Sequence, residues 1–118
     1  MTIQIRRVYE PRQSGDGHRV LVDRLWPRGV SKELATWDEW LKTVAPSGEL
    51  RRWYGHLPER FREFCRRYRG ELDDDVHSEA LDHLRDWEQR GVLTLLTASR
   101  DVAASHVPTL EEKLRSRA

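Results

Sequence analysis

The sequence predicts an α/β fold: a single layered domain over residues 1–118, with a small, mostly parallel sheet flanked by helices. Three observations carry that expectation. Val20-Leu21-Val22 and Val92-Leu93-Thr94-Leu95-Leu96 are short continuous apolar runs, the pattern of strands covered on both faces. Segments of helical period separate the two runs, so a parallel pairing is the natural connection. A chain of 118 residues is long enough for one core and too short for two.

From the start of the chain, Thr2 to Val8 places Ile3 and Ile5 on one side of a half-buried strand. Glu10 to Gly17 reads as a loop, too long for a tight hairpin and glycine-rich enough to move. The central strand follows, Arg19 to Leu25. Pro27, with no N–H to give to a ladder, ends it, and Gly29 permits the turn. Ser31 is placed to cap a short helix from Lys32, with Leu34, Trp37, Leu41 and Val44 spaced at three and four. Trp40 falls outside that stripe, and an extended segment through Trp37–Leu41 fits nearly as well. Ser47 caps a second short helix, Glu49 to about Tyr54. Pro58 suits a first helical position, and Phe61, Phe64, Cys65 and Tyr68 make one apolar stripe up to Gly70 or Leu72. Asp73-Asp74-Asp75 feeds the start of a helix from Val76 to Gln89, buried along Ala80, Leu81, Leu84 and Trp87 and stopped by Gly91. After the second apolar run, a last helix spans about Ser105 or His106 to Arg115, with Pro108 tolerable in its first turn.

A net charge of +1 argues against binding nucleic acid through bulk electrostatics. Only three of the 21 basic residues are lysines, and guanidinium forks suit carboxylates and phosphates; a coding bias toward arginine explains surface positions as simply. One cysteine, Cys65, excludes an internal disulfide and suits a reducing compartment. With no basic-then-apolar leader and no stretch of membrane-spanning length, the expected location is cytoplasmic, with no membrane partner. His18, His56, His77 and His83 lack metal-ligand spacing, and no glycine-rich phosphate loop precedes a helix. Neither a metal nor a cofactor is expected.

The two apolar runs end alike. The first breaks into Asp23, Arg24, Trp26 and Arg28, the second into Ser99, Arg100 and Asp101, with His106 a few residues on. If the strands are parallel neighbours, these residues share one edge, where open α/β sheets bind ligands. Arg24, Arg28 and Arg100, with Ser99 and Trp26 beside them, are the candidate ligand-binding set. Asp23, Asp101 and His106 are the candidate acid–base set. An internal ion pair from Asp23 to Arg24 or Arg28 accounts for the first cluster equally well. Trp26, Trp53 and Tyr54 can stack on a ring or simply fill the core. Ser99 lacks the glycine-flanked elbow of an activated serine, which excludes triad chemistry.

The block Asp23-Arg24-Leu25-Trp26-Pro27-Arg28-Gly29, with Ala45-Pro46-Ser47, Glu49-Leu50-Arg51, Trp53 and the Leu93–Leu96 strand, resembles the DUF488 family in its short YeaO-like branch. The resemblance spans nearly the whole chain. It implies an α/β architecture for a family of unknown function. Arg100-Asp101 and His106 resemble a basic–acidic pair followed by histidine in wider relatives. Those relatives often carry cysteine beside that histidine; here Ser105 stands there and Cys65 lies on a distant helix. Some members carry a MarR-type regulator label, yet nothing in this sequence looks like a winged helix.

The expected function is therefore a cleft at the strand C-terminal ends that binds a phosphate or carboxylate, nucleotide-like ligands included, with turnover left open. The alternative is a nucleic-acid-binding or regulatory module using the arginine-rich helix 58–70, whose charges also suit an ordinary solvated face.

Overall fold

The computed structural model describes residues 2–116. Four parallel strands, β1 (Thr2–Arg7), β2 (His18–Leu21), β3 (Glu39–Trp40) and β4 (Val92–Thr97), form one sheet in the order β1-β4-β2-β3. Four helices accompany them: α1 (Gly48–Tyr54), α2 (Phe61–Glu71), α3 (Asp75–Arg90) and α4 (Val107–Arg115). The two apolar runs of the sequence are the two central strands. They are parallel neighbours, Val20 opposite Leu95 and Leu21 opposite Leu96.

Strand alternation gives the sheet two different faces. Ile3, Val20, Val22, Leu93 and Leu95 point into the main core, against Leu50, Tyr54, Phe64, Tyr68, Leu84 and Leu110 from the helices. Val8, Leu21 and Leu96 point the other way and pack with Trp37, Trp40 and Ala98. Val20, Leu21 and Val22 are therefore all buried, on alternate sides. The second face also carries Arg19 and Thr94, likewise buried. The loop expected to move is fastened over them: the Thr94 hydroxyl donates to the Asp16 carbonyl at 2.6 Å and Arg19 pairs with the Asp16 carboxylate at 2.6 Å.

Several boundaries differ from the sequence expectation. The β2 ladder stops at Leu21, with Val22 N–H still bonded to the Leu96 carbonyl, rather than running to Leu25. No continuous helix starts at Lys32. The segment divides into a 3₁₀ turn (Lys32–Leu34), β3, and another 3₁₀ turn (Lys42–Val44), with Leu34 exposed. Edge pairing wins there, because Asp38 N–H and Leu41 N–H bond the Arg19 and Leu21 carbonyls while Trp37 and Trp40 cover the second face. Pro58 opens a 3₁₀ turn (Pro58–Arg60) and the α-helix proper begins at Phe61. Asp74 caps α3 by accepting from His77 N–H, so the acidic triplet has a local purpose. Trp87 is only half-buried and stacks on His18 at 3.6 Å.

Candidate functional site

Beyond Leu21 and Thr97 the two central strands release their polar ends at the same edge. A cleft of about 860 Å³ opens there. Asp23, Arg24, Trp26, Arg28, Ser99, Arg100, Asp101 and His106 all line it, so the structure brings every candidate residue of the sequence to one place. Arg51 of α1 joins them, as do Tyr54, Phe61 and Phe64 from the helices.

Ala45 and Pro46 form one wall of the cleft, and four side chains from three parts of the fold hold the segment 44–47 that carries them. The Tyr68 hydroxyl donates to the Val44 carbonyl at 2.6 Å. His77 Nε2 donates to the Ala45 carbonyl at 2.8 Å. Arg24 Nε donates to the Pro46 carbonyl at 2.8 Å. Glu71 accepts from both Ser47 N–H (2.8 Å) and Ser47 Oγ (2.6 Å), while Ser47 Oγ caps α1 by accepting from Leu50 N–H. A segment fixed at four successive residues gives the cleft a rigid edge.

The arginines are disposed differently. Arg24 gives its Nε to the wall, and no carboxylate among the described residues pairs with Arg24, Arg28, Arg51 or Arg100. The internal pairing of Asp23 with Arg24 or Arg28 is therefore not formed. Asp23 instead accepts from Ala98 N–H through Oδ2 at 2.8 Å, and its Oδ1 is buried without a hydrogen-bond partner, 3.8 Å from His106 Nε2. The residue thus ties the end of β2 to the end of β4. Two of the candidates face the cleft with backbone or ring already engaged. The Ser99 carbonyl accepts from Arg7 Nε, and the Trp26 indole N–H donates to the Val30 carbonyl while its ring meets Trp37 and Trp40 edge-on. Asp101 and Arg100 are exposed.

His106 precedes α4, and its Nε2 donates to the Val22 carbonyl at 2.9 Å. Its side chain is 11% exposed. Burial lowers its pKa below the ordinary 6.5, against the opposing pull of Asp23 and the Val22 hydrogen bond. The unfolded chain then takes up a proton near pH 6.5 that the native protein refuses. Stability from this group is full above that pH and is lost as the pH falls toward the native pKa. Urea titrations between pH 8 and pH 5 should show this component as a loss of up to about 1.4 kcal/mol per pH unit. His106→Gln, although less stable at pH 8, should show a shallower slope; parallel slopes would mean the group titrates alike in both states.

The arginine-rich helix face is largely occupied. Glu63 holds Arg66 and Arg67 at 2.6 and 2.8 Å, which draws its own carboxyl down to about 2, and Arg60 and Arg67 flank the Trp53 ring. Trp53 is not among the cleft-lining residues, whereas Tyr54 is. Arg51 was not legible as a cleft residue from its local pattern. Leu50 and Tyr54 mark the buried side of α1, but nothing local says that the neighbouring position looks onto the strand ends. Phe61 and Phe64 were legible as core, and they serve as both core and wall. Among the described residues, no group of three or more His, Cys, Asp or Glu side chains is arranged to hold a metal ion, and no helix is long and apolar enough to cross a membrane.

Fold and cleft together define a small α/β protein with an all-parallel four-stranded sheet and an arginine-lined cleft at its strand ends. The chain belongs to the DUF488 family: residues 2–118 match the family described as the inactive DUF488-N3 subclade. It is 50% identical over 115 residues to the uncharacterized protein Rv3073c of Mycobacterium tuberculosis (strain H37Rv), covering 98% of this chain and 95% of that one. It is 39% identical over 117 residues to the uncharacterized protein YeaO of Escherichia coli (strain K12), covering 98% of this chain and 99% of that one. No solved structure matches it.

Proposed function

We propose that this protein binds a small phosphate- or carboxylate-bearing ligand in the cleft at the C-terminal ends of β2 and β4, and does so without turning it over. One observation carries the reading: four guanidinium groups, Arg24, Arg28, Arg51 and Arg100, line a single cleft with no carboxylate partner among the described residues. Guanidinium groups without a carboxylate partner along a cavity suit an anion by fork geometry. The helix arginines Arg66 and Arg67 by contrast share the Glu63 carboxylate, which lowers the charge of that face and favours the cleft over it as an anion site. Binding without catalysis is supported by the acid–base candidates themselves. Asp23 and His106 are engaged with backbone groups of β4 and β2, so they orient the strand ends, and Asp101 stands exposed at the rim. The family description as an inactive subclade accords with this.

The test is thermal unfolding with and without inorganic phosphate at constant ionic strength. A ligand that binds only the native form raises the melting temperature, by an amount set by RT ln(1 + [L]/Kd). Phosphate should raise the wild-type midpoint. The double variant Arg24→Ala, Arg100→Ala should lose the shift, and Arg62→Ala, Arg66→Ala should retain it. No shift in the wild type, or equal shifts in all three proteins, would overturn the proposal.

A further inference from the structure

We infer that the ligand of this cleft is a phosphate monoester carried on a flat aromatic body, the chemistry of a nucleoside monophosphate, and not a bare anion; the inference rests on the anion-binding reading above. The volume is the first argument. About 860 Å³ lies in the range of pockets that enclose whole small molecules, and an inorganic anion on the arginines would leave most of it empty.

The second argument is how the lining is divided. Arg24, Arg28 and Arg100 stand at the strand ends, whereas the helical side carries one guanidinium, Arg51, and three aromatic rings. Tyr54 lies 4.3 Å from Phe64 with an interplanar angle of 19°, and Phe61 lies 6.0 Å from Tyr54. The Tyr54 hydroxyl donates to the Ala104 carbonyl at 2.8 Å, which fixes the ring; Tyr54 and Phe64, 5% and 3% exposed, back the half-buried Phe61 along the cleft. A rigid aromatic wall facing guanidinium groups matches a ligand with one flat apolar end and one anionic end, since aromatic stacking is indifferent to which base or ring it meets.

The third argument is exposure. Leu25 and Tyr9, both in the cleft lining, are 56% and 49% exposed, the Tyr9 ring with the Arg7 guanidinium 5.0 Å from its centroid. Beside a cationic edge, such apolar area is suited to being covered by a ring. His56 is also in the lining, its ring centroid 5.7 Å from that of Tyr54, and its backbone is held at φ +59° immediately after Gly55 at φ +53°. A histidine held in the left-handed region beside a cavity is the kind of local strain found where a ligand is clamped.

The experiment is isothermal titration of the full chain at constant ionic strength with inorganic phosphate, ribose 5-phosphate, phenyl phosphate, adenosine 5′-monophosphate and adenosine. Phenyl phosphate and adenosine 5′-monophosphate should bind at least 10-fold tighter than inorganic phosphate and ribose 5-phosphate, and adenosine at least 10-fold weaker than its monophosphate. Phe61→Leu keeps the volume and removes the ring, and Leu25→Ser alters a half-exposed position, so both should fold. Each should weaken phenyl phosphate and adenosine 5′-monophosphate about 5-fold or more and leave inorganic phosphate unchanged. Equal affinities for inorganic phosphate, phenyl phosphate and adenosine 5′-monophosphate would overturn the ring requirement while leaving the anion reading standing. Adenosine binding as tightly as its monophosphate, or no anion binding at all, would overturn both.

Discussion

Asp16→Ala is expected to destabilise the protein by about 3–5 kcal/mol, the cost of leaving one partner of a buried ion pair behind. Asp16 is 1% exposed and Arg19 is 0% exposed. The Asp16 carboxylate accepts from Arg19 Nη1 at 2.6 Å and from Gln13 N–H at 3.0 Å, with Arg6 Nε 3.7 Å away. The Gln13 hydrogen bond, then Arg19 and Arg6, outweigh desolvation and hold its pKa below the ordinary 3.8. Arg19 is a hub as well, donating through Nη2 to the Glu10 carbonyl and to Thr36 Oγ1, which in turn donates to the Val8 carbonyl. Without the carboxylate a guanidinium stays buried over the second face of the sheet, and the loop before β2 loses its anchor. Urea unfolding of wild type and variant measures the cost. The control is Asp16→Leu with Arg19→Met, which removes both charges and should recover much of the loss, because an apolar replacement of a buried pair is often tolerated. A single-variant loss below about 1 kcal/mol would mean that Arg19 turns out to solvent when released.

That pair also marks the limit of what the sequence discloses. The central strands were legible because Val20–Val22 is wholly apolar and Val92–Leu96 is apolar but for Thr94, the pattern of strands covered on both faces. Their parallel pairing followed from the helices between them, and with it the meeting of Asp23, Arg24 and Arg28 with Ser99, Arg100 and Asp101 at one cleft. Arg19 was not legible. An arginine at the head of an apolar run reads as its exposed end, and its burial depends on an aspartate three residues back in a glycine-rich loop. Trp37–Leu41 was undecidable for a similar reason. Its spacing serves a helix, while its extended form depends on pairing with the edge of β2 and on the Asp38 carboxylate accepting from Arg19 N–H, both made across the fold. Arg51 and the aromatic wall depend on which side of α1 and α2 looks past the core toward the strand ends, and a stripe such as Phe61–Phe64 does not tell core from cavity.

Gly17→Ala is the second substitution with a large expected effect, for a reason of backbone geometry. Gly17 has φ +62°, a conformation that costs an alanine free energy. A Cβ there would stand 2.2 Å from the Val92 carbonyl oxygen and 2.9 Å from the Val92 carbonyl carbon. The obstacle cannot yield, because Val92 opens β4, which is laddered to β1 on one side and β2 on the other. The loop must therefore lift, and Gly17 sits directly between buried Asp16 and the first residue of β2. Backbone strain of about 1–3 kcal/mol and overpacking of about 1–3 kcal/mol should combine to a loss of several kcal/mol in urea unfolding. Gly15→Ala supplies the contrast two residues earlier. A Cβ at that position meets nothing within 4 Å, so the change should be neutral or stabilising by about 0.4–1 kcal/mol, through a less flexible unfolded chain. Similar effects at the two positions would mean that the loop has slack over β4, and the anchoring of Arg19 by Asp16 would then be weaker than its distances imply.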